Sequence, residues 1–247
     1  MFKTFKTLVL PVWLAVAFFF APPVTVFADE GTPLTVVELF TSQGCSSCPP
    51  AGKFPGELTK RDDVLPLSVR VDYWDYIGWK DPFADPKNTK RQRRYAQKLG
   101  QRFVYTPQMV VQGAFDATGS DRAKVLQQIN KAAKLEKVSV KISSTGDGVR
   151  VVVPDAGRVE NAAIWLAVFD RQHDTEVKRG ENSGQTLRYH NVVRGMTRIG
   201  TWTGQPLDIT TKASDMSVKG RDSCAVIVQS EKTGRILGAA RIDLNKS

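Results

Sequence analysis

The chain has 247 residues, with 35 Lys and Arg against 25 Asp and Glu, a formal net charge of +10, three cysteines and two histidines. Beyond one closely spaced cysteine pair only Cys224, His173 and His190 remain as metal ligands, and none has ligand spacing, so no metal and no cofactor are expected. Internal repeats and low-complexity segments are absent from the sequence, which excludes a solenoid or fibrous design.

Lys3 and Lys6 precede an apolar stretch, Leu8 to Ala21, which Pro11, Pro22 and Pro23 interrupt and Ala28 follows. This is the layout of a secretory signal peptide over 1–28, cleaved after Ala28, and the stretch is too short to span a bilayer comfortably. The mature chain is therefore expected in the periplasm or secreted, without a transmembrane anchor, where disulfides persist. Removing residues 1–28 takes away Lys3 and Lys6 and no acid, leaving +8. In an exported protein that charge favours anionic envelope surfaces or acidic proteins, and nucleic acid is not an expected partner.

From residue 29 strand-like and helix-like runs alternate. Leu34–Phe40 predicts a strand, Cys48–Arg61 a helix, Leu65–Asp72 a strand, Lys87–Leu99 a helix and Gln108–Gln112 a strand. Arg122–Leu135 predicts a helix capped by Asp121 or Ser120. That order predicts an α/β thioredoxin-like domain over 29–136. After residue 137 the pattern turns alternating and β-branched, with strands at Val138–Ser143, Val149–Val153, Ala162–Phe169, Thr186–Val193, Cys224–Gln229 and Ile236–Asp243. Thr145-Gly146-Asp147-Gly148 reads as a hairpin turn. The expectation is a smaller all-β, sandwich-like domain over 137–247. Lys87, Lys90, Arg91, Arg93, Arg94, Lys98 and Arg102 crowd around one predicted helix and read as a solvated face, with an anionic binding patch as the alternative.

Chemistry centres on Cys45-Ser46-Ser47-Cys48, placed after a strand and before Pro49-Pro50 at a helix start. Amide groups and the positive helix end there favour a thiolate on Cys45, making it the attacking sulfur and Cys48 the resolving one. A structural disulfide is the alternative. Tyr105-Thr106-Pro107 stands before the apolar strand Gln108–Gln112 and predicts a cis-proline beside the sulfurs, with the Thr106 backbone available to an extended substrate segment.

Glu38 interrupts the strand before the dithiol. Buried beneath the sulfurs it would take the proton of Cys48; on an edge it would simply be solvated. The segment from Asp72 to Phe83 is dense in aromatics, and Trp74, Tyr76 and Trp79 are candidates for a substrate rim near Cys45, with packing between domains as the alternative. His190 lies on a predicted strand as a structural residue or one facing the dithiol, and Cys224 reads as a buried thiol.

Val37–Pro50, Val71–Trp79 and Tyr105–Val111, with Gly180-Glu181-Asn182 and Tyr189–Arg194, together resemble an uncharacterised bacterial family of secreted thioredoxin-like proteins known only as a domain of unknown function. The resemblance spans nearly the whole mature chain. It implies a thioredoxin-like fold and export, and suggests redox chemistry through Cys45, Cys48 and Pro107. Gly52, Pro55 and Gly56 depart from a regular helix after the dithiol and predict a kink or a late start. Two functions follow: an exported thiol–disulfide oxidoreductase acting on protein thiols or disulfides, or a non-catalytic envelope binding or scaffold protein whose Cys45–Cys48 bridge is structural.

Overall fold

The computed structural model describes residues 33–146, 148–157, 160–212 and 222–244. The expected signal peptide over 1–28 and Asp147 of the expected hairpin turn lie outside the described residues. Among the described residues no helix is long and apolar enough to cross a membrane.

The first half contains β1 (Thr35–Thr41), α1 (Pro49–Leu58), β2 (Val64–Arg70), α2 (Pro86–Lys98), the hairpin β3 (Gln108–Val111) and β4 (Phe115–Thr118), and α3 (Arg122–Ala133). The second half supplies β5 (Lys141–Thr145), β6 (Gly148–Val153), β7 (Ala162–Glu176), β8 (Thr186–Trp202), β9 (Leu207–Thr210), β10 (Ser223–Ser230) and β11 (Ile236–Asp243). Every residue of β1 and β2 is buried, as strands covered on both faces require. Asp85 and Asp121 cap α2 and α3 by accepting from the amides of Lys87 and Lys124. α1 is continuous from Pro49 to Leu58 despite Pro55.

The expected fold class, an α/β thioredoxin-like domain followed by a smaller all-β domain, does not describe this molecule. Eight strands from both halves form one mixed sheet in the order β11-β10-β7-β8-β2-β1-β3-β4, with only three α-helices among the described residues, so the fold is mostly β. The three-stranded sheet β5-β6-β9 covers one face of its β7-β10-β11 end through a core that includes Val151, Trp202, Val226 and Leu237.

The physical reason for the difference is the seam between β2 and β8. β8 is 17 residues long and meets β2 in parallel at Ser68–Val192. Side chains reinforce this short ladder: Ser68 Oγ donates to the His190 carbonyl at 2.7 Å, and Asn191 Nδ2 donates to the Pro66 carbonyl at 2.8 Å. Asn191 has φ 48°, a left-handed conformation that asparagine tolerates better than most residues. A second seam runs through Gln112, whose Oε1 accepts from Val36 N–H while Nε2 donates to the Ile236 carbonyl. Gly113, at φ 61°, lies so close to the Gly234 carbonyl that a Cβ would collide with it. One apolar cluster therefore runs from Val36, Leu67 and Val110 through Val193 to Ala225 and Ile236 without a break.

Candidate functional site

β1 delivers the chain into the loop 42–48, where Cys45 and Cys48 form a disulfide with Cα atoms 5.4 Å apart. The loop is a tight turn: Cys45 N–H donates to the Ser42 carbonyl and Cys48 N–H to the Cys45 carbonyl. Cys48 is the N-cap of α1. Pro49 and Pro50 lack amide hydrogens, so the helix end offers fewer N–H donors to a thiolate than the strand–dithiol–helix context alone predicts.

Hydroxyl groups supply donors instead. Thr106 Oγ1 donates to Cys45 Sγ at 3.3 Å, and Ser47 Oγ lies 3.4 Å from the same sulfur. The Trp74 indole N–H donates in turn to Thr106 Oγ1 at 2.7 Å. The Thr106–Pro107 peptide bond is cis. A Cβ on Gly119 would stand 3.1 Å from each of Pro107, Ala51 and Leu39, so Pro107 packs beside the first turn of α1 and the end of β1.

A cover lies over this cluster. Asn182 Nδ2 donates to the carbonyls of Gln43 and Cys45 at 2.8 and 3.0 Å, and Trp79 Nε1 donates to Gln43 Oε1 at 2.8 Å. Gln43 N–H is held by Asp81 Oδ2 at 2.9 Å. Under these contacts Cys45 is 1% exposed and Cys48 3%. Behind the loop the Arg70 guanidinium, fully buried, sits 3.8 Å from Asp81 and 3.6 Å over the Tyr189 ring. Burial raises the Tyr189 pKa, with the nearby Arg70 charge opposing. Gln43 Nε2, the Arg70 nitrogens and the Tyr189 hydroxyl have no hydrogen-bond partner among the described residues.

The structure brings Cys45, Cys48, Thr106, Pro107 and Trp74 together. Trp79 joins one contact further out through Gln43, and Tyr76 is 79% exposed on the short 3-10 turn Asp75–Ile77. Trp74 is thus a partner of Thr106 before it is a rim. Glu38 departs from both sequence expectations. It is neither solvated nor on the α1 side of the sheet: Val37 and Leu39 pack against α1, and Glu38 points to the opposite face, under α2. There Arg91 donates to both its oxygens, at 2.6 and 3.0 Å, and the Tyr95 hydroxyl donates at 2.5 Å. Burial opposes the Arg91 charge, but Glu38 and Tyr95 outweigh it and hold its pKa above the ordinary value. Burial also pushes the Tyr95 hydroxyl pKa well up.

His190 packs on α1, where a Cβ on Gly56 would lie 2.5 Å from its ring, and Cys224 belongs to the second core. Among the described residues no group of three or more His, Cys, Asp and Glu side chains converges as a metal site would. Asn182 and Asp81 are the site residues that sequence reasoning missed. Asn182 sits in the quoted Gly180-Glu181-Asn182 run, but nothing in its spacing reveals a contact with Cys45.

The family described as "Protein of unknown function (DUF1223)" matches residues 36–229. The chain belongs to the DUF1223 family. Two solved structures resemble this DUF1223 protein. A crystal structure of protein AGR_C_4864 from Agrobacterium tumefaciens is 31% identical, covers 87% of this chain and 96% of its own, and superposes with a TM-score of 0.76. HBP35 of Porphyromonas gingivalis, 13% identical over 88% of this chain and 77% of its own with a TM-score of 0.58, shares the fold. No curated protein matches. DUF1223 membership carries no assigned reaction, and it brings neither the secreted nor the thioredoxin-like character that the sequence resemblance implied.

Proposed function

We propose that the protein is an exported thiol–disulfide oxidoreductase acting on protein thiols or disulfides through Cys45 and Cys48. Its support is the donor chain at one sulfur, from the Trp74 indole to Thr106 and from the Thr106 hydroxyl to Cys45 Sγ at 3.3 Å. With the indole hydrogen on its oxygen, Thr106 keeps its own hydrogen for the sulfur. A donor held on sulfur stabilises thiolate over thiol and makes Cys45 the better leaving group.

A partner thiolate attacks Cys45 Sγ, the Cys45–Cys48 bond breaks, and the electron pair leaves on Cys48, which takes a proton from solvent. A second partner thiolate then attacks the partner sulfur of the mixed disulfide and expels the Cys45 thiolate. The partner gains a disulfide and the cysteine pair gains two electrons; the reverse sequence reduces a partner disulfide. Because Cys45 is 1% exposed, Trp74 and the Asn182 loop move aside before attack.

The same burial favours a second function, a non-catalytic envelope binding or scaffold protein with a structural bridge. Against it, a bridge between residues three apart closes a very short loop and stabilises by only about 2 kcal/mol. Equilibration of the full chain with a glutathione redox buffer separates the two. A catalytic pair is expected between roughly −120 and −270 mV, with Trp74→Phe moving the pH dependence of exchange upward as the donor chain on Cys45 loosens. A potential below about −300 mV, with no turnover of a model disulfide, assigns the bridge a structural role.

A further inference from the structure

Two adjoining clefts of about 280 Å³ each lie where α2, the β7–β8 face and the β10–β11 turn meet, and they share Arg91, Arg94, Trp165 and Arg198. Lys87, Lys90, Arg91, Arg94, Lys98 and Arg198 line them against one carboxylate, Glu231. Glu231 already pairs with Arg198 at 2.7 Å, and Glu38 holds Arg91 from below. Lys87, Lys90 and Arg94 are exposed and have no ion-pair partner among the described residues. Burial and the Arg91 charge both lower the Arg94 pKa, as expected where positive charge is uncompensated.

The cations of α2 recur every three or four residues and so share one helix face, a row running about 16 Å from Lys87 to Lys98. The floor is apolar: Trp165 lies 5.6 Å from the Arg91 guanidinium and 5.7 Å from that of Arg94, with Met196 beside it. The opposite wall is strand. Met196, Thr197 and Arg198 of β8 pair with Ala167, Leu166 and Trp165 of β7, whereas β2 meets β8 at Val192. Among the described residues no strand pairs with the other edge of β8 beyond Val193.

We infer that this groove docks an extended acidic segment of a partner protein. Alternate residues of an extended chain repeat about every 6.8 Å, close to the spacing of roughly 5–6 Å between successive cations on α2. Carboxylates on one side of the segment therefore meet the cation row while its backbone meets the open edge of β8. A sugar polymer offers the charge without that backbone. The site lies on the helix that covers Glu38 and is independent of the chemistry at Cys45.

The test is fluorescence polarisation of a short labelled peptide of alternating Glu and Val with the full chain at low ionic strength. Lys90→Glu with Arg94→Glu is expected to weaken binding roughly tenfold or more. Arg93→Glu with Arg102→Glu makes the same charge change at exposed positions outside the groove and is expected to cost less than about twofold. Equal losses in the two pairs overturn the site, as does no binding at all. Equally tight binding of a uronic-acid oligosaccharide of matched charge overturns the peptide assignment in favour of a polymer.

Discussion

Glu38→Gln tests whether the carboxylate inside the sheet holds a charge or moves a proton. Both oxygens accept from Arg91, and Oε2 also accepts from the Tyr95 hydroxyl. The amide keeps one acceptor and loses the charge. Arg91 is then a buried cation anchored only by Gln229 Oε1 at 3.0 Å, Tyr95 and one amide oxygen. Breaking a buried pair costs about 3–5 kcal/mol, and the surviving acceptors place the expected loss near the lower end, about 3 kcal/mol. Replacing all three members, Glu38→Leu, Arg91→Met and Tyr95→Phe, removes the charge together with the hydroxyl that would lose its acceptor, and leaves Gln229 Nε2 bonded to the Gly234 carbonyl. That variant is expected within about 1 kcal/mol of the parent. Urea unfolding at neutral pH with matched m-values measures both. A proton-transfer role predicts the reverse pattern. A Glu38→Gln loss under about 1 kcal/mol together with slowed thiol exchange would falsify the structural assignment.

The packing of α1 on β8 makes a paired prediction. Gly52→Ala places a methyl 3.7 Å from Tyr189, an ordinary contact, and should be neutral or stabilising by up to about 1 kcal/mol. Gly56→Ala drives its methyl to 2.5 Å from the His190 ring and should destabilise by about 1–3 kcal/mol, a loss that His190→Ala relieves; equal effects at the two glycines would contradict this packing. His190 also carries a pH signature. Burial first, then Arg188, lowers its pKa from 6.5, with Asp174 opposing. A histidine depressed on folding contributes full stability above the unfolded value and loses it as pH falls through 6.5 toward the folded pKa. Denaturation midpoints should therefore fall between about pH 7 and pH 5, and His190→Gln should flatten that stretch; an unchanged slope in the variant assigns the drop to other groups.

Local elements were legible because their signals are local. The apolar run Leu34–Phe40, the cap Asp121 and the β-branched stretches after residue 137 each mark an element within a window of a few residues. β4 and β9 are only four residues long and half-exposed, so their alternation gives no signal above the surrounding loops. The joining of the two halves depended on Gln112, Asn191 and Ser68, polar residues that read as surface positions until their partners about 120 residues away come into view. Glu38 failed for a related reason. Alternation assigns it to a face, but only Arg91, 53 residues on, decides what that face holds. At the dithiol the sequence identified the sulfurs and Thr106–Pro107, and it missed the cover, because an asparagine amide reaching two carbonyls across 137 and 139 residues leaves no periodicity.

That cover sets the rate at which Cys45 meets a partner. Opening it breaks the Trp74–Thr106 bond and the two bonds from Asn182, each worth about 0.5–1.5 kcal/mol net, so the open state holds about 0.1–10% of the molecules. Attack on sulfur then proceeds at the intrinsic rate multiplied by that fraction. Asn182→Ala removes two of these three bonds, leaves the Trp79–Gln43 bond in place and raises the open fraction by up to about tenfold, without touching the hydroxyl donors on Sγ. Alkylation of the reduced protein should accelerate by the same factor at unchanged Cys45 pKa. Trp74→Phe opens the cover and also loosens the donor chain, so its alkylation profile should shift to higher pH while its plateau rises. If both variants react at the parent rate across pH, the sulfur is reached by a path that avoids this rim, and neither Trp74 nor Asn182 governs access.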